Sequence, residues 1–490
     1  MSFNKELNLL LKARYPILYI TSSEEERVEQ HLLLNLKVKQ GKIIYNWNFI
    51  DGYISNPNIS NKAIKNPLQA LDLIETLKCE QPTIFLLKDF NKFFSDIAIS
   101  RKLRNLSRQL KTEPKTIIIV TNNVEIPTDL TDLITVLEFP LPTPSEINIE
   151  ITRLIENLEV TITPEFLNQI LFVCKGLQIE KIRRVLAKSL ALYGDLNENT
   201  LNLIKLEKQQ LIKQTQILEY IRSDTTFKSI GGLNSLKNWI TNRKDSFSKE
   251  AKMYGLPSPK GVLLTGIQGT GKSMSAKAIA NEWKLPLLKL DIGKLFGGIV
   301  GESESKVREM IQTSEALAPC ILWIDEIDKA FMEQTSSGDS GTTNRVLATF
   351  ITWLSEKESD VFVVATANNF TKLPFEMIRK GRFDEIFFLD LPTKGERKNI
   401  FKVNLQNKRP KNFTNFDLEL LSDASEGFSG AEIEQAIIEA MYIAFNQKRE
   451  FTNDDILEAL NLIIPMVELN EEKIENLKTL ANAGRIRLAS

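Results

Sequence analysis

The residues best equipped for chemistry form a glycine-rich run in the second half of the chain. They match the pattern GxxxxGK[ST] in full: Gly266, Ile267, Gln268, Gly269, Thr270, Gly271, Lys272 and Ser273. Glycines let a backbone close around phosphates without Cβ clashes. The lysine can reach the terminal phosphates and the serine hydroxyl can ligate Mg²⁺. The pattern predicts a nucleoside triphosphate site; the alternative is a glycine-rich turn without function.

The flanking residues predict the elements that position this loop. Residues 261–265 (GVLLT) form a short apolar run typical of a buried parallel strand. Residues 274–280 (MSAKAIA) follow a helical pattern. A strand, a loop and a helix start together expose backbone amides at the positive end of a helix, where phosphates bind. This context favours the phosphate site over the turn.

A second apolar strand, residues 320–324, ends in two acids, Asp325 and Glu326. Carboxylates at the end of a buried strand are costly unless they have a function. We expect Asp325 to hold the Mg²⁺ hydration shell beside Ser273, and Glu326 to polarise the attacking water. A pair of solvated acids is the alternative.

A third strand and a basic turn supply the remaining candidates. Residues 361–367 end at Asn368, whose amide can orient water against the γ-phosphate. The turn RKGRFD that follows carries Arg379 and Arg382. Arginine is suited to stabilising the charge that develops on a transferred phosphoryl group. Alone, this turn would be an ordinary basic loop; after the other motifs, a catalytic role is favoured.

Composition excludes several function classes. The chain has 490 residues, long enough for about three domains. Its 62 basic and 63 acidic residues argue against an overall electrostatic grip on nucleic acid or anionic membrane. The sequence contains no run of about 20 apolar residues, so we expect no membrane span. The N-terminal residues do not suggest a signal peptide.

The scarce residues exclude more. A single histidine, His31, rules out HExxH zinc proteases and makes a histidine-based triad unlikely on composition. It is expected at the surface, half exposed. The cysteines Cys79, Cys174 and Cys320 lack a CxxC spacing, which argues against disulfide scaffolds and cysteine zinc sites. We expect them to be buried as small hydrophobic side chains.

Residues from about 224 to 465 resemble an AAA-type ATPase module. Six segments occur in the family's order: FKSIGGL (227–233), GIQGTGKS (266–273), ILWIDEID (321–328), ATANN (365–369), RKGRFD (379–384) and GFSGAEI (427–433). The resemblance implies an α/β P-loop core with a parallel sheet and a helical lid, binding ATP and Mg²⁺. It also implies that Ile230 and Gly231 flank the adenine.

The same resemblance implies a homo-oligomeric ring, usually of six subunits, in which Arg379 and Arg382 reach the neighbouring subunit's nucleotide. Over its whole length the chain is similar to AAA-domain proteins encoded in plastid genomes and cyanobacteria. That similarity implies the chloroplast stroma or the cyanobacterial cytoplasm as its location. One segment departs from protein-threading members. Their aromatic pore position falls on Ile299, with Phe296 displaced by three residues, which weakens the case for threading but not for remodelling.

The first half resembles a worn copy of the second. Four segment pairs occur in the same order: 83–94 with 320–331, 117–123 with 362–369, 137–143 with 387–393, and 176–182 with 427–433. We therefore predict a degenerate AAA-like α/β module over residues 1–200; an unrelated α/β domain is the alternative.

The chemistry of this first module is predicted to be lost. SSEEE (22–26) replaces the phosphate loop, so three acids would repel phosphate. Lys88 stands in the place of Asp325, and Asp89 in that of Glu326. The module should bind no ATP and serve as a docking or ring-stacking surface.

The remaining boundaries follow from composition. Residues 201–223 are predicted to be a helical linker, because 205–221 are charged and free of Gly and Pro. The ATPase core is placed at 224–395, and the helical lid and tail at 396–490. Near the end, Arg485 and Arg487 either contact a neighbouring subunit or lie in a solvated tail.

The sequence leaves three functions to compare. The first is an ATP-hydrolysing remodeller acting on an unknown protein partner, and the intact acids, amide and arginines favour it. The alternative is a nucleotide-gated scaffold or binding module with little turnover. A nucleic-acid motor is disfavoured by the neutral charge balance and by the lack of an aromatic and basic stripe.

Overall fold

The chain divides into two compact units. The computed structural model describes residues 3–54, 64–158, 162–215, 217–296, 302–329, 340–469, 471–481, 483 and 486–490. The first unit comprises residues 1–163 and 177–194, and the second comprises 164–176 and 195–490. The division differs from the predicted boundary at residue 200, because the segment 164–176 belongs to the second unit.

The first unit is built on a six-stranded sheet. Its strands are β1 (Ile17–Thr21), β2 (Ile43–Asn48), β3 (Gly52–Ile54), β4 (Thr83–Lys88), β5 (Lys115–Thr121) and β6 (Ile134–Glu138). They lie in the order β3-β2-β4-β5-β1-β6, and β3 alone among these six is antiparallel to its neighbour. Every residue of β5 is buried, as expected for a central strand covered on both faces.

Helices alternate with the strands of this sheet along the chain. The α-helices are Phe3–Lys12, Glu25–Leu32, Pro67–Thr76, Ile97–Gln109, Pro144–Leu158 and Ile179–Tyr193. Shorter pieces are a π-helix, Leu33–Val38, and two 3₁₀ turns, Phe90–Phe93 and Thr128–Leu130. Two apolar clusters of this unit contain opposite faces of the same strands: Tyr19 lies in one, and Leu18 and Ile20 lie in the other.

The second unit is built on a seven-stranded sheet. Its strands are β7 (Leu218–Ile221), β8 (Gly261–Gly266), β9 (Leu287–Leu290), β10 (Cys320–Ile324), β11 (Val361–Ala367), β12 (Glu385–Leu389) and β13 (Arg487–Leu488). The order is β13-β12-β8-β11-β10-β9-β7. β7 runs antiparallel to β9, and the other neighbours are parallel.

The helices of the second unit fall into a group around the sheet and a C-terminal lid. Those before the lid are Pro164–Cys174, Glu198–Gln214, Asn234–Thr241, Lys249–Tyr254, Lys272–Trp283, Ile292–Phe296, Glu302–Ala316, Ser340–Glu356 and Phe375–Ile378. Those that follow are Lys394–Lys408, Leu418–Ala424, Gly430–Asn446, Asn453–Leu462, Met466–Leu469 and Glu471–Leu480. The 3₁₀ turns are Phe227–Ser229, Phe370–Lys372 and Phe413–Asn415. The predicted α/β core with a helical lid is confirmed.

The two sheets share one strand order. β6-β1-β5-β4-β2 in the first matches β12-β8-β11-β10-β9 in the second, and the strands paired by sequence similarity take the same places. Asp89 directly follows β4 and Glu326 is the second residue after β10; both are non-glycine residues with positive φ, at +52° and +51°. Such a backbone is rare outside glycine, so the shared topology extends to a local detail.

Two predictions about segments next to the core are wrong. The predicted helical linker, 201–223, contains a strand: residues 218–221 form β7, because Ile217 and Leu218 are buried in the core of the second unit. The preceding helix Glu198–Gln214 buries Ile204 and Ile212, so it is a packed element of that unit rather than a free connector.

The last residues of the chain pair with the core sheet, and both residues of this strand stay exposed. Arg487 and Leu488 form β13 beside β12. The Arg487 guanidinium lies 3.7 Å from a Glu385 carboxylate oxygen and 5.5 Å from the Phe387 ring centroid. This part of the tail extends the core sheet and is not part of the lid. Arg485, like the predicted pore position Ile299, lies outside the described residues.

The scarce residues are mostly placed as expected. Cys174 and Cys320 are buried, and Cys79 is half-buried. His31 is not a plain surface residue: its ring packs edge-on against Phe3 and Phe139. That burial lowers the pKa of its imidazole. Among the described residues, no helix has the length and apolar character required to cross a membrane.

Candidate active site

The glycine-rich run forms the turn between β8 and the helix Lys272–Trp283. Gly266, Gly269 and Gly271 all have positive φ, between +81° and +135°. A Cβ on Gly266 would lie 2.2 Å from the Leu389 carbonyl oxygen, and one on Gly269 would lie 2.6 Å from the Ser429 hydroxyl. Backbone conformation and close approach therefore both require glycine here.

Lys272 lies at the centre of this loop and is only 7% exposed. Its ammonium donates to the carbonyl oxygens of Gly266 at 2.9 Å and Ile267 at 2.8 Å. Burial lowers the pKa of Lys272 to about 8, against the opposing pull of nearby carboxylates that include Asp328 and Asp325. A buried cation in a loop of backbone amides suits an anionic ligand.

Asp325 meets Ser273 across two elements. The Ser273 hydroxyl donates to Asp325 Oδ1 at 3.0 Å, and the Thr366 hydroxyl donates to the same oxygen at 2.7 Å. Lys289 Nζ lies 3.5 Å from Oδ2. A hydroxyl and a carboxylate are hard oxygen donors of the kind that Mg²⁺ accepts while retaining several waters. The two residues predicted to hold the metal are thus adjacent and chemically suited to it.

Glu326 and Asn368 are also in contact. The Asn368 side-chain amide donates to Glu326 Oε1 at 3.1 Å. Lys329 Nζ lies 2.5 Å from Oε2, and the Glu326 backbone amide donates to the Thr366 hydroxyl at 2.9 Å. The predicted base and the predicted water-orienting amide therefore share one short hydrogen-bonded network.

Asp328 is 3% exposed and stabilises the backbone next to this network. Its carboxylate accepts from the backbone amides of Asn368 at 3.3 Å and Asn369 at 3.1 Å. Asp328 thereby fixes the turn that carries the Asn368 side chain. Sequence reasoning missed the roles of four residues in this site: Asp328, Thr366, Lys289 and Lys329. The motifs ILWIDEID and ATANN contained two of them, but their contacts run between strands.

These groups open into one cavity of ≈ 370 Å³. Eleven predicted site residues line it: Ile230, Gly231, Gln268, Gly269, Thr270, Gly271, Lys272, Ser273, Asp325, Glu326 and Asn368. The wall of the cavity further includes Thr366 and, on the lid side, Ile400, Val403, Asn404, Gly430, Ala431 and Glu434. One end is polar and acidic, and the other has the apolar side chains that a purine base needs.

The other predicted site residues do not line the cavity. Gly266 and Ile267 lie beneath the loop, with Ile267 buried. Arg379 is exposed and Arg382 half-buried. Their turn is fixed to the start of β8, because the Asp384 carboxylate accepts from the backbone amides of Lys260 at 2.7 Å and Gly261 at 2.9 Å.

The distance along β8 separates these arginines from the loop. The strand runs from Gly261 to Gly266, a span of about 17 Å at about 3.3 Å per residue. The arginine turn is tied to the first of these residues and the phosphate loop starts at the last. The geometry therefore does not bring Arg379 or Arg382 to the phosphate loop of their own chain.

The lid closes the apolar end of the cavity. The backbone amide of Ala431 donates to the Gly269 carbonyl at 3.2 Å, so the lid helix Gly430–Asn446 begins against the phosphate loop. On the other side, a Cβ on Gly231 would lie 2.6 Å from Ile400 Cγ1. Of the two predicted adenine-flanking residues, Gly231 is thus held against the first lid helix, and Ile230 lines the same cavity.

Comparison with known families agrees with this architecture. Residues 262–391 match the family described as ATPase family associated with various cellular activities (AAA), and residues 415–459 match the AAA+ lid domain. Residues 3–139 match the N-terminal domain of SpoVK-like AAA ATPases, and 145–215 match their second domain. The chain therefore belongs to the AAA ATPase family.

Individual similar proteins narrow the family assignment further. The chain is 58% identical over 490 residues to the "Uncharacterized AAA domain-containing protein ycf46" of Trieres chinensis, covering 100% of this chain and 99% of the relative. The ycf46 protein of Guillardia theta is 56% identical, with 100% and 97% covered. A proteasome-activating nucleotidase of Saccharolobus solfataricus is 33% identical over 287 residues, covering 57% of this chain and 71% of the relative. These similarities indicate a plastid or cyanobacterial origin.

Proposed function

We propose that the second unit binds ATP with Mg²⁺ and hydrolyses it. One observation carries the proposal: Ser273, Asp325, Glu326 and Asn368 converge at the polar end of a cavity that begins at the phosphate loop. A module that only binds nucleotide would need the loop and the metal ligands, but not a positioned acid and amide beyond them.

Each residue has a distinct role in this proposal. The amides of the loop and Lys272 bind the phosphates, while Ile230, Gly231 and Ile400 enclose the base. Ser273 and Asp325 would hold Mg²⁺, which when bound neutralises charge on the phosphates. Glu326 accepts the proton of the attacking water, and Asn368 orients that water.

The proposal includes assembly as a homo-oligomeric ring, which the position of the arginine turn supports. Phosphoryl transfer gains about 10³–10⁵ in rate from an arginine supplied at the reacting phosphate. Because Arg379 and Arg382 are anchored away from their own loop, we propose that they act in the site of an adjacent copy. Head-to-tail contacts of this type close into rings when the rotation between copies permits.

The first unit is proposed to bind no nucleotide. Lys88, at the place of the metal carboxylate, is ion-paired to Glu25 at 2.9 Å and Glu29 at 2.7 Å. A lysine engaged with two acids cannot serve a metal bound to phosphate. This unit then offers a docking or stacking surface, and ATP turnover in the second unit remodels a protein partner in the stroma or cytoplasm.

A trapping experiment tests the proposal. Glu326→Gln should bind ATP as the wild type does but retain it, so that a client stays attached during a pull-down. Lys272→Ala is the matched control, because it weakens nucleotide binding itself. ATP binding without turnover in the wild type would instead support the nucleotide-gated scaffold.

A further inference from the structure

Glu24 lies in the first unit at the place that corresponds to the phosphate loop. It follows β1, the counterpart of β8 in the shared strand order, and its side chain is 7% exposed. One carboxylate oxygen, Oε1, accepts from the backbone amide of Ile179 at 2.7 Å. The other, Oε2, lies 2.5 Å from the Arg27 guanidinium. A buried acid is thus fully engaged where the second unit would bind an anion.

The partner of Glu24 is the first residue of a lid helix. Ile179 begins the helix Ile179–Tyr193, which aligns with the lid helix Gly430–Asn446 through the similar segments 176–182 and 427–433. In the second unit the equivalent junction is direct, from the Ala431 amide to the Gly269 carbonyl. In the first unit a carboxylate spans it.

The donors around Glu24 are those of a phosphate site. They are a backbone amide at a helix start and the Arg27 guanidinium. The preceding residue also ties the loop to the helix start, because the Gln178 side-chain amide donates to the Ser23 hydroxyl at 2.5 Å. Arg27 is itself fixed, since it also donates to the Pro140 carbonyl at 2.9 Å and lies 4.6 Å from the Phe139 ring centroid. Helix-start amides together with arginine are a common solution for binding phosphate.

We propose that Glu24 is a built-in substitute for a nucleotide phosphate. Its carboxylate joins the loop after β1 to the lid helix, so the lid of the first unit stays closed without any ligand. The first unit then keeps one conformation while nucleotide binds and leaves elsewhere. The proposal does not depend on ATP hydrolysis by the second unit.

The test measures opening of this lid in the full-length protein without nucleotide. Hydrogen exchange of the backbone amides of residues 179–193 should become roughly tenfold faster in Glu24→Ala, because a charge-assisted hydrogen bond at the helix start is lost. Glu180→Ala is the matched control: Glu180 is on the same helix and pairs with Arg183 and Arg184, not with the loop. Its exchange should stay near that of the wild type.

Rescue by inorganic phosphate distinguishes a substitute from a simple structural contact. Millimolar phosphate should slow the exchange of residues 179–193 back toward the wild-type rate in Glu24→Ala only, whereas chloride at equal ionic strength should not. Unchanged exchange in Glu24→Ala, or fast exchange that phosphate does not slow, would overturn the proposal. If Glu24→Ala fails to fold, Glu24→Gln keeps the acceptor but loses the charge. Its exchange should be intermediate, and a wild-type rate there would overturn the need for a carboxylate.

Discussion

Replacing Thr366 by valine tests the strand-to-strand contacts that hold the two acids of the site. The Thr366 hydroxyl donates to Asp325 Oδ1 at 2.7 Å and accepts from the Glu326 backbone amide at 2.9 Å. Valine keeps the shape and β-branching of threonine but removes both hydrogen bonds. The change therefore leaves the strand intact while it releases Asp325 and the backbone of Glu326.

The expected loss follows from these two bonds. A hydrogen bond to a charged group contributes about 1.5–3 kcal/mol. If this free energy is lost in the transition state but not in the ground state, turnover falls between about tenfold and two-hundredfold. ATP affinity should change by less than about threefold, because the loop and Lys272 are untouched.

A matched control is available one strand away. The Thr265 hydroxyl on β8 is buried and has no hydrogen-bond partner among the described residues, so Thr265→Val removes a hydroxyl of the same type without removing a bond. Steady-state ATP hydrolysis and calorimetric binding should be measured for both variants. Turnover within about twofold of the wild type in Thr366→Val, or an equal loss in Thr265→Val, would refute the reasoning.

Four further outcomes are expected. Glu326→Gln should lose about 10²–10⁴ in turnover and keep its ATP affinity, as steady-state hydrolysis and calorimetry would show. Lys272→Ala should strongly weaken calorimetric ATP binding by the whole chain, and binding that persists with the wild-type affinity would place a site in the first unit. Arg382→Ala subunits should regain partial ATPase activity when they are mixed with Lys272→Ala subunits. If no activity returns, and if wild-type activity does not depend on protein concentration, the arginines act in cis. Finally, burial lowers the pKa of Lys272 to about 8, so the unfolded chain binds more protons than the folded chain between pH 8 and 10.5. The free energy of unfolding should therefore rise with pH in this range, and it should rise less in Lys272→Met.

Much of the second unit follows from local sequence patterns. β8, β10 and β11 are apolar runs with clear ends, and each is followed by the residues of a motif. β7 is not predicted because its four residues follow a charged helical segment, and only pairing with β9 decides their conformation. β13 has two residues, too few for any periodicity to reveal.

Motifs likewise predict only part of the candidate site. The loop, the acids and Asn368 were placed by motifs, because each lies at the end of one strand. Thr366 and Asp328 act across strands: Thr366 reaches Asp325 and Glu326 on the neighbouring strand's end, and Asp328 reaches the amides after β11. A contact of this kind depends on register between strands, which the spacing of residues in one segment does not encode.

The two units show how one arrangement of strands supports two electrostatic designs. In the second, an acid at the end of β10 accepts a hydrogen bond from a hydroxyl beside a buried lysine in a glycine loop, and all three residues line one cavity. In the first, the signs are reversed: Lys88 ends β4, and the helix Glu25–Leu32 that follows β1 supplies the acids that pair with it. Unpaired buried charges are costly, so a lysine at the end of β4 and an acid after β1 each need a partner. Lys88 pairs with Glu25 and Glu29, and Glu24 pairs with Arg27, so the first unit balances these charges with its own side chains.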